Sequence, residues 1–251
     1  MPKKIRADEL LVKLGLAPTR SQAQALIMAG RVLKAQDQPV KKAGELLLED
    51  SQLCLTKGKT YVSRGGEKLK GALEDLEIDV SGLICLDLGA STGGFTDCLL
   101  KSGAQSVTAV DVGKGLIHHS LKEDPRVTLI EGVNARNLGD LDMERDLHGP
   151  FDLATLDLSF ISLSLILPVT AEVMGPSSKI LAMVKPQFEV GKGEVGKGGV
   201  VRDEKLIVSA TEKIKALAPT LRPPFIASGS APSRLKGPMG NQEIFVLMER
   251  A

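Results

Sequence analysis

The sequence predicts an α/β protein in which a doubly wound, mostly parallel sheet of seven strands follows a small α+β domain. The first observation is that apolar runs recur through residues 67–251, with helical stretches between most of them, as expected when strands alternate with helices. The second is that residues 1–60 instead hold two short amphipathic helices and a few short strands. We therefore predict two domains, 1–60 and 67–251, joined by a linker over residues 61–66.

The charged residues are divided unevenly between the two predicted domains. Residues 1–70 contain 14 Lys and Arg against 7 Asp and Glu, whereas the remaining residues contain 18 against 24. A basic segment beside an acidic body is typical of a polyanion-binding module attached to a second domain. With 43% hydrophobic and 25% charged residues, the overall composition is that of a globular protein.

The sequence also bears on the cellular compartment. Residues 1–9 are charged without an apolar core, so we expect no secretory signal, and no apolar run approaches the roughly 20 residues of a membrane span. Three cysteines, Cys54, Cys85 and Cys98, are odd in number and lack metal-ligand spacing. We expect three buried thiols, no metal site and a cytoplasmic location.

The basic front module is justified element by element. Residues 6–14 have helical spacing, and residues 19–28 begin a second helix with Thr19 as a plausible cap. Short apolar runs at 31–34 and 52–55 predict strands. Two helices and a small sheet within about 60 residues form a marginal core, which usually depends on a neighbour.

The larger domain opens with a bridge and then follows the strand–helix pattern. Residues 57–66 are rich in Gly and Lys, which is typical of a linker, and a helix is predicted to begin at Glu67. Seven strands follow, at residues 83–88, 107–110, 127–130, 151–156, 180–184, 225–228 and 244–248.

A Gly-rich turn after the first of these strands is the strongest sign of a ligand. An apolar strand that passes through such a turn into a helix brings backbone close to a ligand at the helix N-terminus. The dinucleotide fingerprint fails because Ser91 stands where its middle Gly should be, and Asp87 before the turn would repel a phosphate. Asp111 ends the next strand, where a carboxylate can accept hydrogen bonds from a ribose diol. This combination resembles the S-adenosylmethionine site of class I methyltransferases, a Rossmann-like fold.

Polar residues follow several strands at the edge where ligands bind in such folds. Asp87, Asp111, Asn134, Asp157 and Lys185 all lie at or just past a strand end. Asn134 could bond an adenine edge or could simply be a turn residue.

Two lysines and two acids are predicted to converge at this same edge. If the last strand runs antiparallel, Glu243 before it joins Asp157, Lys185 and Lys68. A free lysine has a pKa of about 10.4, so use as a base requires burial or a second cation to lower it. The alternative is a set of structural ion pairs along the sheet edge.

Two further motifs stay open at this point. Residues 191–198 nearly spell a phosphate-binding loop but have Gly198 where Ser or Thr should hold magnesium, and no clean strand precedes them. They predict a loop over an RNA site or a plain flexible loop. Residues 234–240 form a basic turn that could contact substrate phosphate or merely be exposed.

The front module resembles the S4 RNA-binding domain. The resemblance rests on Arg6 to Asp8, on Thr19 to Ser21 and on Ala29 to Val32. It implies that the second helix and the loop after it contact RNA, where Arg can bind phosphate oxygens bidentately. The candidate RNA-binding residues are Arg6, Arg20, Gln24, Arg31 and, in the linker, Arg64.

Across nearly the whole chain the motifs resemble the TlyA family, whose members are often labelled hemolysin A and join an S4 domain to an FtsJ-like methyltransferase domain. The matching motifs are residues 63–69, 87–95, 156–162, 184–189 and 240–243. One departure is small: Ala90-Ser91 stands where the family often has Gly-Ser.

The resemblance implies 2′-O-methylation of cytidine in ribosomal RNA, with S-adenosylmethionine as donor and ribosomal RNA or subunits as partner. Lys185 would hold or remove the hydroxyl proton, Asp157 and Lys68 would tune it, and Glu243 would orient the nucleotide or a lysine. The expected cofactor-binding residues are Asp87, Gly89, Ala90, Ser91, Thr92, Gly93, Gly94, Phe95, Asp111 and Asn134. Alternatives are a pore-forming cytolysin and an RNA-binding protein with a degenerate methyltransferase domain.

Overall fold

The chain divides into two compact units, Met1–Thr60 and Tyr61–Ala251. A computed structural model describes residues 3–35, 38–56, 60–191 and 193–251. Residues 57–59 of the predicted linker motif and Lys192 of the Gly-Lys motif lie outside the described residues.

The first unit contains two short helices and two small sheets. One sheet pairs β1 with β4, and the other has the order β3-β2-β5. Helix α1 buries Leu10 and Leu11 completely, and the predicted cap of α2 is confirmed, since Thr19 Oγ1 accepts a hydrogen bond from Gln22 N at 3.2 Å. The elements are β1 (Lys4–Arg6), α1 (Ala7–Lys13), α2 (Arg20–Met28), β2 (Val32–Lys34), β3 (Gln38–Pro39), β4 (Leu46–Leu48) and β5 (Cys54–Leu55).

The second unit is built on the predicted sheet of seven strands. The strands lie in the order β11-β12-β10-β9-β6-β7-β8. The neighbours from β10 through β9, β6 and β7 to β8 run parallel, while β12 is antiparallel to both β10 and β11. The strands are β6 (Ile84–Leu88), β7 (Ser106–Asp111), β8 (Val127–Glu131), β9 (Phe151–Leu156), β10 (Met174–Val184), β11 (Phe225–Pro232) and β12 (Ile244–Arg250).

Helices cover the sheet, and the first of them begins earlier than the sequence predicts. Helix α3 starts at Arg64 rather than Glu67, because Ser63 caps it by accepting a hydrogen bond from Gly65 N at 3.3 Å. Tyr61 is buried in the core of this unit. The helices are α3 (Arg64–Asp75), α4 (Gly94–Lys101), α5 (His119–Lys122), α6 (Leu167–Glu172), α7 (Pro186–Glu189) and α8 (Glu204–Lys215).

The core of the second unit lies on both faces of the sheet. Alternate residues along one strand join two different clusters of buried side chains: Leu86 packs in one and Cys85 in the other. In the same way Ala154 and Leu153 of β9 separate. A parallel sheet buried on both faces therefore has nearly continuous apolar strands, as the sequence showed.

The cysteines do not all follow the prediction. Cys85 and Cys98 are buried, and burial raises the pKa of the Cys98 thiol to about 11. Cys54 is exposed, so the expectation of three buried thiols is wrong. It belongs to β5, a strand of two residues, where the neighbouring Leu53 takes the inward position.

No helix in the described part of the chain is both long enough and apolar enough to cross a membrane. Within the same residues, no group of three or more His, Cys, Asp or Glu side chains is arranged to hold a metal ion.

Candidate active site and nucleic-acid interface

The turn between β6 and α4 requires residues without bulk. Gly89 has a φ of +87°, and a Cβ there would lie 2.5 Å from the carbonyl oxygen of Asp157. A Cβ at Gly94 would lie 2.2 Å from Ser63 Oγ. The turn is therefore packed closely against the end of β9 and the start of α3, which explains the run of small residues from Gly89 to Gly94.

Two cavities open on this turn. The first, of about 310 Å³, lies between the turn and the N-terminus of α3, and Lys68, Asp157 and Phe95 line it. Ala90, Thr92 and Gly94 of the turn complete that wall together with Ser63, Arg64 and Gly65. The second cavity, of about 650 Å³, extends along the ends of β7 and β9. Gly89, Ser91 and Asp157 line both cavities, so the two are neighbours across the turn.

Asp111 and Asn134 line the second cavity, as the sequence led us to expect. Asp111 Oδ2 accepts a hydrogen bond from Ser91 N and its Oδ1 accepts one from Gly113 N, both at 2.7 Å. Each carboxylate oxygen keeps a second lone pair for a ligand hydroxyl. Asn134 Oδ1 accepts from Arg136 N at 3.0 Å, so this residue is a turn cap as well as part of the cavity wall.

Asp87 is placed differently from the ligand-facing position that the sequence suggested. It is fully buried and lines neither cavity. Thr96 Oγ1 donates to its Oδ2 at 2.7 Å and Thr155 Oγ1 donates to its Oδ1 at 3.2 Å. Burial raises the pKa of Asp87 to about 7. Its carboxyl group therefore links the end of β6, just before the turn, to α4 and β9.

Exposed apolar side chains around the second cavity were missed at the sequence level. Val112, Leu116 and Phe160 all line it, and Phe160 is 91% exposed. Phe160 has a φ of +63°, a strained conformation for an aromatic residue, and its ring lies 5.2 Å from that of Phe188. Apolar residues in the loops directly after strand ends were the available signal, since apolar walls with a few polar groups mark ligand sites.

The four predicted catalytic residues form two ion pairs. Lys68 Nζ lies 2.5 Å from Glu243 Oε2, and Lys185 Nζ lies 2.7 Å from Asp157 Oδ1. Both lysines are buried, at 8% and 9% exposure. Lys185 Nζ also donates to Ser159 Oγ at 2.9 Å.

Strand register brings the pairs to one edge of the sheet. Val184 at the end of β10 pairs with Ile244 at the start of β12. Lys185 comes directly after Val184 and Glu243 directly before Ile244, so the two lie at the same edge of the sheet. The last strand does run antiparallel to β10, so the condition under which Glu243 joins the other three residues is met. Asp157 comes directly after β9, the other neighbour of β10.

In the first unit, three of the RNA-binding candidates meet at one buried carboxylate. Asp8 is fully buried and accepts hydrogen bonds from Arg6 and Arg20, each at 3.0 Å, and from Gln24 Nε2 at 2.8 Å. The Arg6 guanidinium above all holds the pKa of Asp8 well below its usual range. Asp8 appeared in the sequence only as part of a motif, yet it organises this cluster.

The other two RNA-binding candidates lie apart from that cluster. Arg31 donates to the carbonyl oxygen of Thr56 at 3.3 Å, while its buried Nε has no partner among the described residues. Arg64 is exposed at the first position of α3 and lines the first cavity.

The structure also bears on the two motifs that the sequence left open, residues 191–198 and 234–240. The segment around Gly191 follows the short helix α7 rather than a strand, and Gly196 pairs with Val200 in a tight turn. Arg234 does not offer its guanidinium to a ligand, because it donates to Glu74 and Asp75 of α3 at distances of 2.6–3.2 Å.

Comparisons with known proteins agree with this architecture. A family model of FtsJ-like methyltransferases matches residues 61–250, and a model of S4 domains matches residues 5–51. The chain is 43% identical to the 16S/23S rRNA (cytidine-2′-O)-methyltransferase TlyA of Mycobacterium tuberculosis, over 98% of this chain and 90% of that protein. It is 38% identical to Hemolysin A of Brachyspira hyodysenteriae, over 84% of this chain and 88% of that protein.

A solved structure is similar as well. A candidate hemolysin from Streptococcus thermophilus superposes with a TM-score of 0.73 at 38% identity, covering 100% of this chain and 90% of that one. An S4 domain, an FtsJ-like methyltransferase domain and relatives of this identity over nearly the full length agree with one another. The chain therefore belongs to the TlyA family.

Proposed function

We propose that this protein transfers a methyl group from S-adenosylmethionine to the ribose 2′-oxygen of a cytidine in ribosomal RNA. The observation that carries the proposal is the pair of buried lysine–carboxylate contacts beside a Gly-rich turn with a cavity on each side. The substrate class comes from the function named for the mycobacterial relative.

The residues around the second cavity fit the adenosine half of the cofactor. Asp111 offers carboxylate oxygens suited to a ribose diol, and Asn134 offers an amide suited to a base edge. Val112, Leu116 and Phe160 provide apolar surface for the base. Gly89 and Ser91 line both cavities and would contact the part of the cofactor between its adenosine and methionine halves. Asp87 would not contact the cofactor but would hold the turn in place through its buried hydrogen bonds.

The first cavity is suited to the reacting ribose. When bound, S-adenosylmethionine supplies an electrophilic methyl carbon carried on sulfur. The attacking 2′-hydroxyl must lose its proton as its oxygen bonds to that carbon. Asp157 lines this cavity and its side chain is 24% exposed, so beside its contact with Lys185 its carboxylate could also accept a hydrogen bond from a ribose hydroxyl.

Lys185 would take the proton. Its Nζ is fixed between Asp157 and Ser159, and as an uncharged amine it would accept the hydroxyl proton and become an ammonium. Asp157 then stabilises the new positive charge. Lys68, held by Glu243, lines the same cavity and would orient the ribose oxygen. Alignment can contribute roughly 7–11 kcal/mol to such a reaction, so fixed side chains matter as much as basicity.

The S4 unit would supply affinity for the RNA. Arg6 and Arg20 keep N–H groups beyond those that Asp8 and Glu9 use, and such groups can bind phosphate oxygens. Arg64, at the mouth of the first cavity, would contact the substrate close to the reacting ribose.

The direct test is mass spectrometry of ribosomal RNA nucleosides. Purified protein, S-adenosylmethionine and unmodified subunits should yield 2′-O-methylcytidine, and omission of the methyl donor should abolish it. Calorimetry with S-adenosylmethionine tests the alternative of a degenerate domain, which would give no heat. Lysis of cells by protein with Lys185→Ala, at the wild-type rate, would separate any hemolytic effect from the enzyme.

A further inference from the structure

We propose that a third cavity, between the segment of residues 200–208 and the loop joining β11 to β12, binds the nucleotide next to the methylated one in the RNA. The inference rests on the proposed function, because it takes the ribose in the first cavity as its starting point. The cavity measures about 630 Å³ and is formed by residues 200–208 on one side and 236–242 on the other.

The floor and rim of this cavity have the chemistry of a nucleotide site. Val200, Ile207, Val208 and Met239 supply apolar surface, and both Val208 and Met239 are large exposed apolar residues. Exposed apolar residues grouped inside a polar rim mark a binding surface rather than a random feature. The flat face of a base can pack on aliphatic and thioether groups of this kind.

The charges on the rim favour a phosphate. Arg202 and Lys236 lie on opposite walls, and neither forms an ion pair with any residue that the structure describes. Glu204 is the acidic residue on the lining, so cationic groups outnumber acidic ones there. Arg and Lys with no counter-ion of their own are suited to bind the phosphates on either side of a nucleotide.

A buried amide fixes the two walls relative to each other. Asn241 lies in the β11–β12 loop; its Oδ1 accepts from Val201 N at 2.9 Å and its Nδ2 donates to Gly199 O at 2.8 Å. Because both ends of a buried amide are used, the loops cannot separate without breaking two hydrogen bonds. The cavity is therefore preorganised, which reduces the entropy lost on binding.

The position of the cavity fits a neighbouring nucleotide. Pro238 lines the first cavity, whereas Met239 and Gly240, next in the chain, line the third. Gln242 also lines the third cavity, and Glu243 beside it pairs with Lys68 of the first. A single loop thus separates the two, so an RNA strand with its ribose beside Lys68 would cross that loop and place its next nucleotide in the third cavity.

The test compares Arg202→Ala/Lys236→Ala with wild-type protein in binding to unmodified ribosomal subunits at several salt concentrations. We expect affinity to fall about tenfold and the slope of log affinity against log salt to shrink by about 1.4, as for the loss of two phosphate contacts to a single strand. Lys205→Ala is the matched control, because Lys205 lies on α8 but does not line the cavity. It should leave affinity and slope close to wild type, and S-adenosylmethionine affinity should not change in any variant.

Three outcomes would count against this site. Wild-type affinity and slope in the double variant would overturn it, and so would an equal loss in Lys205→Ala, which would show unspecific attraction. If Arg202→Lys/Lys236→Arg fails to restore binding, the phosphate contacts are not the cause. Wild-type binding without formation of methylcytidine would instead contradict the proposed function alone.

Discussion

The two units of this protein use the same kinds of charged residue in opposite ways. In the first unit the acid is buried and the cations are partly exposed: Asp8 is inaccessible, while the side chains of Arg6 and Arg20 are 39% and 51% exposed. In the second unit the cations Lys68 and Lys185 are themselves buried.

The difference separates cations that are exposed at the surface from cations that are buried. Asp8 and Glu9 together pair with the two guanidinium groups, and Asp8 also accepts from Gln24, yet both arginine side chains stay partly exposed where an anion can reach them. Each lysine of the second unit has one carboxylate to itself. A buried pair attracts a polyanion weakly, and removal of either partner leaves a buried charge without compensation.

The largest effect is expected from Lys185, and it tests the role of the buried cations in the second unit. Lys185→Ala removes the proposed proton acceptor, and Lys185→Arg replaces it with a guanidinium, which stays protonated and cannot accept a proton. We expect both to lower the rate of methyl transfer by about 10²–10⁴-fold, with unchanged binding of S-adenosylmethionine. Single-turnover kinetics on unmodified subunits measure the rate.

Lys179→Ala is the control for this change. Lys179 lies on the same strand and forms a surface ion pair with Glu249 at 2.7 Å, so its loss should leave the rate near wild type. Wild-type rates in both Lys185 variants would remove this residue from the chemistry.

A smaller effect is expected from Asp8→Asn, which tests the role of the exposed cations in the first unit. Loss of the carboxylate makes the unit more positive, so attraction alone predicts tighter RNA binding. Because Asp8 holds Arg6 and Arg20 in place, we expect the opposite, a loss of about tenfold, or about 1.4 kcal/mol. Equilibrium binding to subunits measures it, with the rate at saturating subunits unchanged.

Glu49→Gln is the control, because it removes one negative charge, as Asp8→Asn does, but leaves the carboxylate that holds Arg6 and Arg20. Glu49 forms ion pairs with Lys3 and Lys13 at the surface of the same unit. It should bind RNA as well as wild type or slightly better. Tighter binding by Asp8→Asn would show that net charge, rather than the fixed arginines, determines affinity.

A separate effect, on stability rather than on catalysis or RNA binding, concerns Asp87, a buried acid held by hydroxyl groups rather than by a cation. Its pKa of about 7 in the folded protein lies above the value of about 3.9 in an unfolded chain. The folded state therefore binds more protons between these values, and the free energy of unfolding should fall by about 1.4 kcal/mol per pH unit as pH rises from 4 to 7. Urea denaturation of Asp87→Asn should lack this contribution, whereas Asp140→Asn, on the surface, should retain it. An identical pH dependence in Asp87→Asn and wild type would contradict the assignment.

Much of the fold could be predicted because the sheet is buried on both faces. Its strands are apolar throughout, so runs such as 151–156 were found within a residue or two of their observed bounds. Strand β10 begins at Met174, earlier than the predicted 180, because Pro176 and two serines interrupt its apolar pattern. The start of α3 was missed because Gly65 and Gly66 are typical of turns, although close packing of Gly66 against Tyr61 requires a residue without a Cβ there.

The candidate site was predictable where chain direction decides it. Residues after parallel strands meet at one edge, so Asp157, Lys185 and Glu243 could be grouped from sequence. The orientation of individual side chains could not be predicted in this way. The inward burial of Asp87 and the convergence of Arg6 and Arg20 on Asp8 depend on rotamers and tertiary packing that no local pattern encodes.

The position of β12 has a consequence for the C-terminal end of the chain. This strand follows β11 in the chain but lies between β10 and β11 in the sheet, so β11 is joined to the rest of the sheet only through it. Glu243 immediately precedes this strand and is the partner of Lys68. Loss of the last strand would therefore detach β11 and at the same time leave a buried lysine without its acid.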